Sequence, residues 1–386
     1  MGPLRGLRVL EIPNIGPIQF AGTMLSDLGA EVLRLDRASE VAGAPSAIGA
    51  SEFAASPFAV LDRGRRSIGV DLKHPDGVRT VLRLVDAADV LIEGFRPGVV
   101  ERLGIGPEVC RERNPRLVYG RMTGWGQTGP MAGEPGHDLN YLALAGVLHH
   151  LGAAGGPPHP PINLLADFGG GGMLLACGVL AALVERATSG EGQIVDAAMV
   201  DGAALLMSVF WGLDAMGAWG ERGTNVLDGG APFYNVYETA DGGFVSIASF
   251  EPKFYAELLA VLALDDLDPA AQMDQSRWPE LTERFRAIFA TRSRDEWVET
   301  FAGHEICFAP VLSMREARAH PHNVARGMIS DVDGAPHPSP APRFDRTPSA
   351  IAREPVGPGA DTDTALAEWG FGADEIATLR GSGALA

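Results

Sequence analysis

Two polar islands interrupt an apolar stretch of the chain: Gly136-His137-Asp138-Leu139-Asn140-Tyr141, and Asn163-Leu164-Leu165-Ala166-Asp167-Phe168 running into Gly169 to Gly172. An imidazole and a carboxyl group that face one centre can each take or give a proton near neutral pH, which is what general acid–base chemistry requires. Each island also has a plainer use. A single His often satisfies a structural hydrogen bond, and Asp167 and Asp138 stand where they could cap the helices predicted after them, the second over Leu139 to Leu148. Asp167-Phe168-Gly169 matches the kinase metal-binding tripeptide, but the phosphate-loop and catalytic-loop motifs are missing, so the match is a coincidence.

The elements that must position these residues read as alternating strands and helices. Leu7 to Ile12 is a β-rich run, Pro13 to Pro17 a loop, Phe20 to Leu28 helical in its apolar spacing, and Glu31 to Leu35 a second strand. The order recurs with Ser67 to Leu72 as strand, Pro75 to Ala87 as helix, Asp89 to Glu93 as strand, Val100 to Leu103 as a helical turn and Leu117 to Met122 as strand. Such an order predicts an open α/β domain with a right-handed parallel sheet. Its first turn, Ile12 to Ile18, lacks the spaced glycines that admit a pyrophosphate, so a nicotinamide or flavin dinucleotide is not expected. Met173 to Arg186 and Val195 to Met207 read as long apolar helices, with Trp211, Met216 and Trp219 as core or, alternatively, as the lining of an acyl pocket. Phe233 to Glu238 and Gly243 to Ser249 form a hairpin around Ala240 to Gly243, and helices follow at Pro252 to Leu262, Trp278 to Ala290 and Arg294 to Ala302. From Val332 to Pro358 proline and glycine predict an extended strap, ending in a short helix near Asp363 to Trp369. The expected domains are a large α/β domain over 1–200, a linker over 201–232, a smaller α+β domain over 233–325, and a strap with a C-terminal segment over 326–386.

With 386 residues, 46% hydrophobic and 21% charged, the chain can bury more than one core. Its 31 basic and 49 acidic side chains leave a net charge of −18, which disfavours nucleic acid and anionic membranes and obliges any anionic ligand to find a local basic cluster. No signal segment or membrane span is expected, and the protein is read as cytoplasmic. Cys110, Cys177 and Cys307 are too far apart for a zinc site, and His149-His150 has no further ligand at metal spacing, so no metal is expected.

Several blocks, in this order, resemble the family III CoA-transferase (CaiB/BaiF) group, most closely its α-methylacyl-CoA racemase branch. They are Leu4 to Glu11, Leu28 to Val32, Asp62 to Ser67, Gly94 to Gly98, Gly120 to Gln127, Gly136 to Asp138, Asn163 to Gly172 and Asp228 to Pro232. The resemblance implies an interlocked homodimer whose protomers each have a large Rossmann-like domain and a small domain, with active sites between the large domain of one subunit and the small domain of the other. It implies that His137 and Asp167 are the two acid/base residues, that Glu93 partners the aspartate and Glu251 the histidine, and that Asp138 and Asn163 belong to the site. Arg37, Arg96, Arg102, Leu72, Lys73 and Met122 match positions that hold coenzyme A, which enters as part of an acyl-CoA substrate, with no separate cofactor. Arginine forks suit phosphate.

The chemistry implied is removal of a weakly acidic proton α to a thioester carbonyl, with the enolate oxygen stabilised and the carbon reprotonated from the other face. Asp167 would begin a helix whose free N–H groups could serve that oxygen, and the following glycines would admit the thioester. The rival within the same fold is a CoA-transferase in which Asp167 attacks as a nucleophile. His137 with Glu251 favours the racemase, since a nucleophilic carboxylate needs no second proton donor. A non-catalytic acyl-CoA-binding protein would keep the arginines without needing His137 or Asp167.

Overall fold

The computed structural model describes residues 2–13, 16–41 and 56–386. Asn14 and Ile15, in the loop expected at Pro13 to Pro17, lie outside the described residues. The chain divides into two compact units, one built from residues 1–145, 162–206 and 322–386, the other from 146–161 and 207–321. The short segment 146–161 thus joins the second unit, although the sequence assigns it to the first domain.

The first unit opens with β1 (Arg8–Ile12), α1 (Pro17–Asp27), β2 (Glu31–Arg37), a single turn α2 (Ala38–Val41), β3 (Arg66–Val70), α3 (Pro75–Val85), β4 (Val90–Glu93), α4 (Val99–Arg102), α5 (Pro107–Arg113) and β5 (Val118–Thr123). α3 shows how locally these helices are encoded. His74 at its N-cap accepts the Asp76 N–H at 3.1 Å, Pro75 fits the first turn, and Gly77, Thr80, Val81, Leu84 and Val85 fall on one buried face. β4 and β5 are buried along their whole length, as parallel strands covered on both faces are, although β4 ends in Glu93 and β5 contains Arg121.

After β5 come α6 (Asp138–Leu144), a π-helical segment Leu165–Met173 that continues into α7 (Leu174–Ser189), β6 (Ile194–Ala198) and α8 (Met199–Leu206). The sequence reads Val195 to Met207 as one helix. Its first four residues instead pair in parallel with β5, Val195 opposite Gly120 through Ala198 opposite Thr123, and the helix starts only at Met199. Small apolar residues satisfy either period, and the neighbouring strand decides. The helical stretch from Ile162 to Ser189, which contains Asp167 and Gly169 to Gly172, is by length and composition apolar enough to cross a membrane, yet within the unit it packs on α1, β5 and β6.

The six strands run in the order β3-β2-β1-β4-β5-β6, every neighbouring pair parallel. The strand order reverses between β1 and β4. In such doubly wound sheets the crevice outside the carboxyl ends of the strands, at that reversal, is where ligands sit.

The second unit holds α9 (Ser208–Ala215), an antiparallel sheet of β7 (Tyr234–Glu238), β8 (Phe244–Ala248) and β9 (Phe308–Pro310), and α10 (Pro252–Val261), α11 (Trp278–Phe289) and α12 (Arg294–Phe301). Its core is aromatic, with Tyr237 stacked on Phe289 at 5.0 Å and Trp297 on Phe301 at 5.4 Å. Trp211 and Met216 are exposed rather than core. The short α13 (Met314–Ala319) and α14 (Pro321–Ala325) lead back to the first unit.

The returning segment is more structured than a strap. β10 (Ile329–Val332) and β11 (Ala335–Pro338) form an antiparallel hairpin whose turn, Asp333-Gly334, has φ of 49° and 79°, the mirror-image turn that Asp-Gly favours. α15 (Thr362–Glu368) and α16 (Ala373–Gly381) then complete the core of the large sheet, with Leu366, Trp369, Phe371, Ile376 and Leu385 packed among Leu10, Leu33 and Ile68. Trp369 donates its indole N–H to Glu31 at 2.7 Å. Arg34 of β2 donates to the Val356 carbonyl at 3.0 Å, so the preceding extended stretch is tied down as well.

Candidate active site

A cleft of about 430 Å³ opens at the carboxyl edge of the parallel sheet and is lined wholly by the first unit. Pro17 and Ile18 follow β1, Arg37 ends β2, Gly94 to Pro97 follow β4, and Met122 to Trp125 end β5 and continue past it; Gly136, His137, Tyr141, Asp167 and Met199 complete the wall. The switch point of the fold and the two polar islands of the sequence therefore coincide.

His137 is the N-cap of α6, with extended backbone (φ −133°, ψ 173°) and an exposed side chain, and its N–H reaches Asn140 Oδ1 at 3.0 Å. Tyr141, one turn further on, donates its hydroxyl to the Gly136 carbonyl, and its ring meets Trp125 edge-on at 4.8 Å. A Cβ on Gly124 would stand 2.3 Å from that hydroxyl oxygen, so the glycine is what lets Tyr141 brace the residue before His137.

Asp167 lies in the first turn of the π-helical segment and is half-buried. It does not cap its own helix. Asp138 does, and it does not serve the helix expected over Leu139 to Leu148: its buried Oδ2 accepts the N–H of Ala166 at 2.8 Å and that of Asp167 at 2.9 Å. Those two N–H groups are thereby occupied and are not among the free N–H groups expected to serve an enolate oxygen. Asn163 donates to Asp167 Oδ2 at 3.2 Å. Burial raises the Asp167 pKa above the ordinary carboxyl value; the Asn163 hydrogen bond opposes this, the Asp138 charge adds to it, and His137 opposes it.

The glycine run also has a different role from the one expected. Gly170, Gly171 and Gly172 are buried, and a Cβ on them would strike Ala203 N, Met199 Cγ and Pro17 O at 2.8, 2.9 and 2.7 Å, so they let the helix pack closely on α8 and α1. The open backbone next to Asp167 belongs to Gly16, whose φ is 70° and whose Cβ position lies 3.6 Å from Asp167 Oδ2.

Glu93, at the end of β4, is fully buried. Its Oε2 accepts the Phe95 N–H at 2.7 Å and its Oε1 the Arg121 Nε–H at 3.0 Å, while Arg121 pairs with Glu101 at 2.9 Å. Among the described residues Glu93 is thus bonded to the loop after β4 and to β5, rather than to Asp167. Burial pushes its pKa up to about 7, against the pull of the Phe95 N–H and Arg121. Arg121 stands directly opposite Glu93 in the β4–β5 register. A buried guanidinium requires a partner, and that was the signal in the sequence for a residue not singled out there.

Of the residues matched to coenzyme A, Arg37, Arg96 and Met122 line the cleft. Arg102 is exposed on α4 and is not part of the lining; Leu72 packs against the sheet core, and exposed Lys73 bonds its N–H to Asp71 Oδ1 at 2.9 Å, both outside the lining. Glu251 belongs to the second unit, exposed at the N-cap of α10. Among the described residues no three His, Cys, Asp or Glu side chains gather as metal ligands would.

The doubly wound parallel sheet brings an imidazole, a carboxyl group and two arginines, Arg37 and Arg96, to one cleft at its switch point, and the model for CoA-transferase family III matches residues 4–364. The chain belongs to that family. It is 44% identical over 379 residues to the α-methylacyl-CoA racemase of Mus musculus and 41% identical over 380 residues to that of Homo sapiens, in each case covering 97% of this chain and 96% of the relative. A crystal structure of a CAIB/BAIF family protein from Brucella suis superimposes with a TM-score of 0.80 at 25% identity, over 95% of this chain and 99% of that one.

Proposed function

We propose that this enzyme interconverts the R and S forms of a 2-methylacyl-CoA thioester by 1,1-proton transfer through an enolate. The observation that carries the reading is that His137 and Asp167, the residues matched to the two acid/base positions of the racemases, line one cleft. A base takes the C2 proton, the electron pair moves onto the thioester oxygen as the enolate forms, and the second group returns a proton to C2 from the other face; the roles exchange for the opposite enantiomer. A carboxyl group with a raised pKa suits this exchange, because a proton-transfer group works best when its pKa approaches the working pH. Arg37 and Arg96 would meet the polyanionic coenzyme A at the cleft.

On this reading the reaction uses no metal or redox cofactor, the enzyme works as an interlocked homodimer in which the partner subunit supplies its Glu251 beside His137, and it serves lipid metabolism in the cytoplasm. The family also contains CoA-transferases, for which Asp167 would be the nucleophile. Incubating one enantiomer of a 2-methylacyl-CoA in heavy water separates the two. Loss of optical purity with deuterium entering at C2 supports racemisation; transfer of CoA to an added free acid, without exchange at C2, would assign the chain to the transferases.

A further inference from the structure

We propose that Asp138 is the positioning residue that sets the separation of the two proton-transfer groups, an inference that rests on the racemase reading. Asp138 is joined to His137 by one peptide bond, and through Oδ2 it holds the backbone of Ala166 and Asp167 at 2.8 and 2.9 Å. Asp138 and Asp167 lie 29 residues apart in sequence, and this carboxylate joins the two islands by hydrogen bonds at the level of the site. The link is hydrogen-bonded at both ends. Asp138 is only 6% exposed, at the first position of α6, where the Asn140 and Tyr141 bonds on either side of His137 fix the backbone. Its acceptor oxygen meets the first turn of the segment that carries Asp167, where N–H groups have no partner within the helix. An ordinary cap would come from the residue before that helix. Leu164, which occupies that position, has no side chain able to accept, so the acceptor is brought from another element.

Asp138 touches neither C2 nor the thioester in this account, and its effect is on kcat through the placement of Asp167. A displacement of about 1 Å at a reacting group can cost roughly a hundredfold in rate. Three proteins are compared: wild type, Asp138→Ala and Asp138→Asn. Asparagine keeps an oxygen that can accept both N–H bonds.

Amide hydrogen exchange of the peptide spanning Leu165 to Phe168, read by mass spectrometry without substrate, is expected to lose protection in Asp138→Ala and keep it in Asp138→Asn. Racemisation by Asp138→Ala should fall about a hundredfold in kcat with KM within about threefold, and Asp138→Asn should recover at least about tenfold of that loss. Protection unchanged in Asp138→Ala overturns the proposal, as does an Asp138→Asn enzyme that keeps protection yet is as slow as Asp138→Ala. If wild type exchanges no C2 proton, the racemase reading fails by itself, while the amide protection still decides whether Asp138 braces Asp167.

Discussion

Replacing Glu93 by glutamine removes a proton that the folded protein holds and the unfolded chain does not. The buried carboxyl has its pKa pushed up to about 7, from an ordinary value of 4.5. Between those values the native state keeps the Glu93 proton while the unfolded state has released it, so the unfolded state binds fewer protons and stability falls as pH rises. Most of that loss lies between pH 5 and 7, and by pH 8 Glu93 is ionised in both states. Integrating the linkage from about pH 5 to 8 gives a contribution of about 2.5 kcal/mol for this one group. Glutamine has the same shape and can still accept the Phe95 N–H, but it has nothing to titrate. Urea unfolding of both proteins at the two pH values isolates the term, because every other titrating group is shared and cancels in the comparison. Wild type should lose about 2.5 kcal/mol more than Glu93→Gln on going from pH 5 to 8. Equal losses would show instead that Glu93 is ionised throughout, held as a carboxylate by Arg121.

Two further substitutions probe the cleft. Asn163→Ala removes the hydrogen bond that favours ionised Asp167, so its pKa should rise further and the acidic limb of the kcat profile should move to higher pH; a limb that stays in place or moves lower contradicts the assignment. Arg96→Ala should raise KM for acyl-CoA by roughly tenfold or more, the worth of one hydrogen bond to a charged group, whereas Arg102→Ala, outside the lining, should change it by less than about threefold, as steady-state kinetics of the two variants would show.

The large domain was legible because its strands are buried on both faces and punctuated by proline and glycine, as at Ile12-Pro13 and Gly94 to Gly98. β6 was not, because Val195 to Ala198 runs into Met199 without a breaker and only pairing with β5 distinguishes strand from helix. The β10–β11 hairpin hid in a proline-rich stretch although its Asp333-Gly334 turn was there to be read.

At the site, residue types pointed to His137 and Asp167, but partners are chosen by tertiary contacts that spacing does not encode. Glu93 meets Arg121 only because the β4–β5 register sets them opposite, and Asp138 turns from the helix that follows it to a segment 28 residues away. Arg96 and Arg102 look alike in sequence. One lies in the loop at the carboxyl end of a strand and the other on the helix beyond it, which is the difference between lining the cleft and facing solvent.

Single-base variants test the pairing of His137 with Asp167 most directly. With each pure enantiomer in heavy water, His137→Asn should wash deuterium into C2 of one enantiomer without racemising it, and Asp167→Asn should do so for the other. Racemisation persisting in either variant, or exchange of both enantiomers by one of them, would contradict the claim that the two side chains serve opposite faces of one carbon.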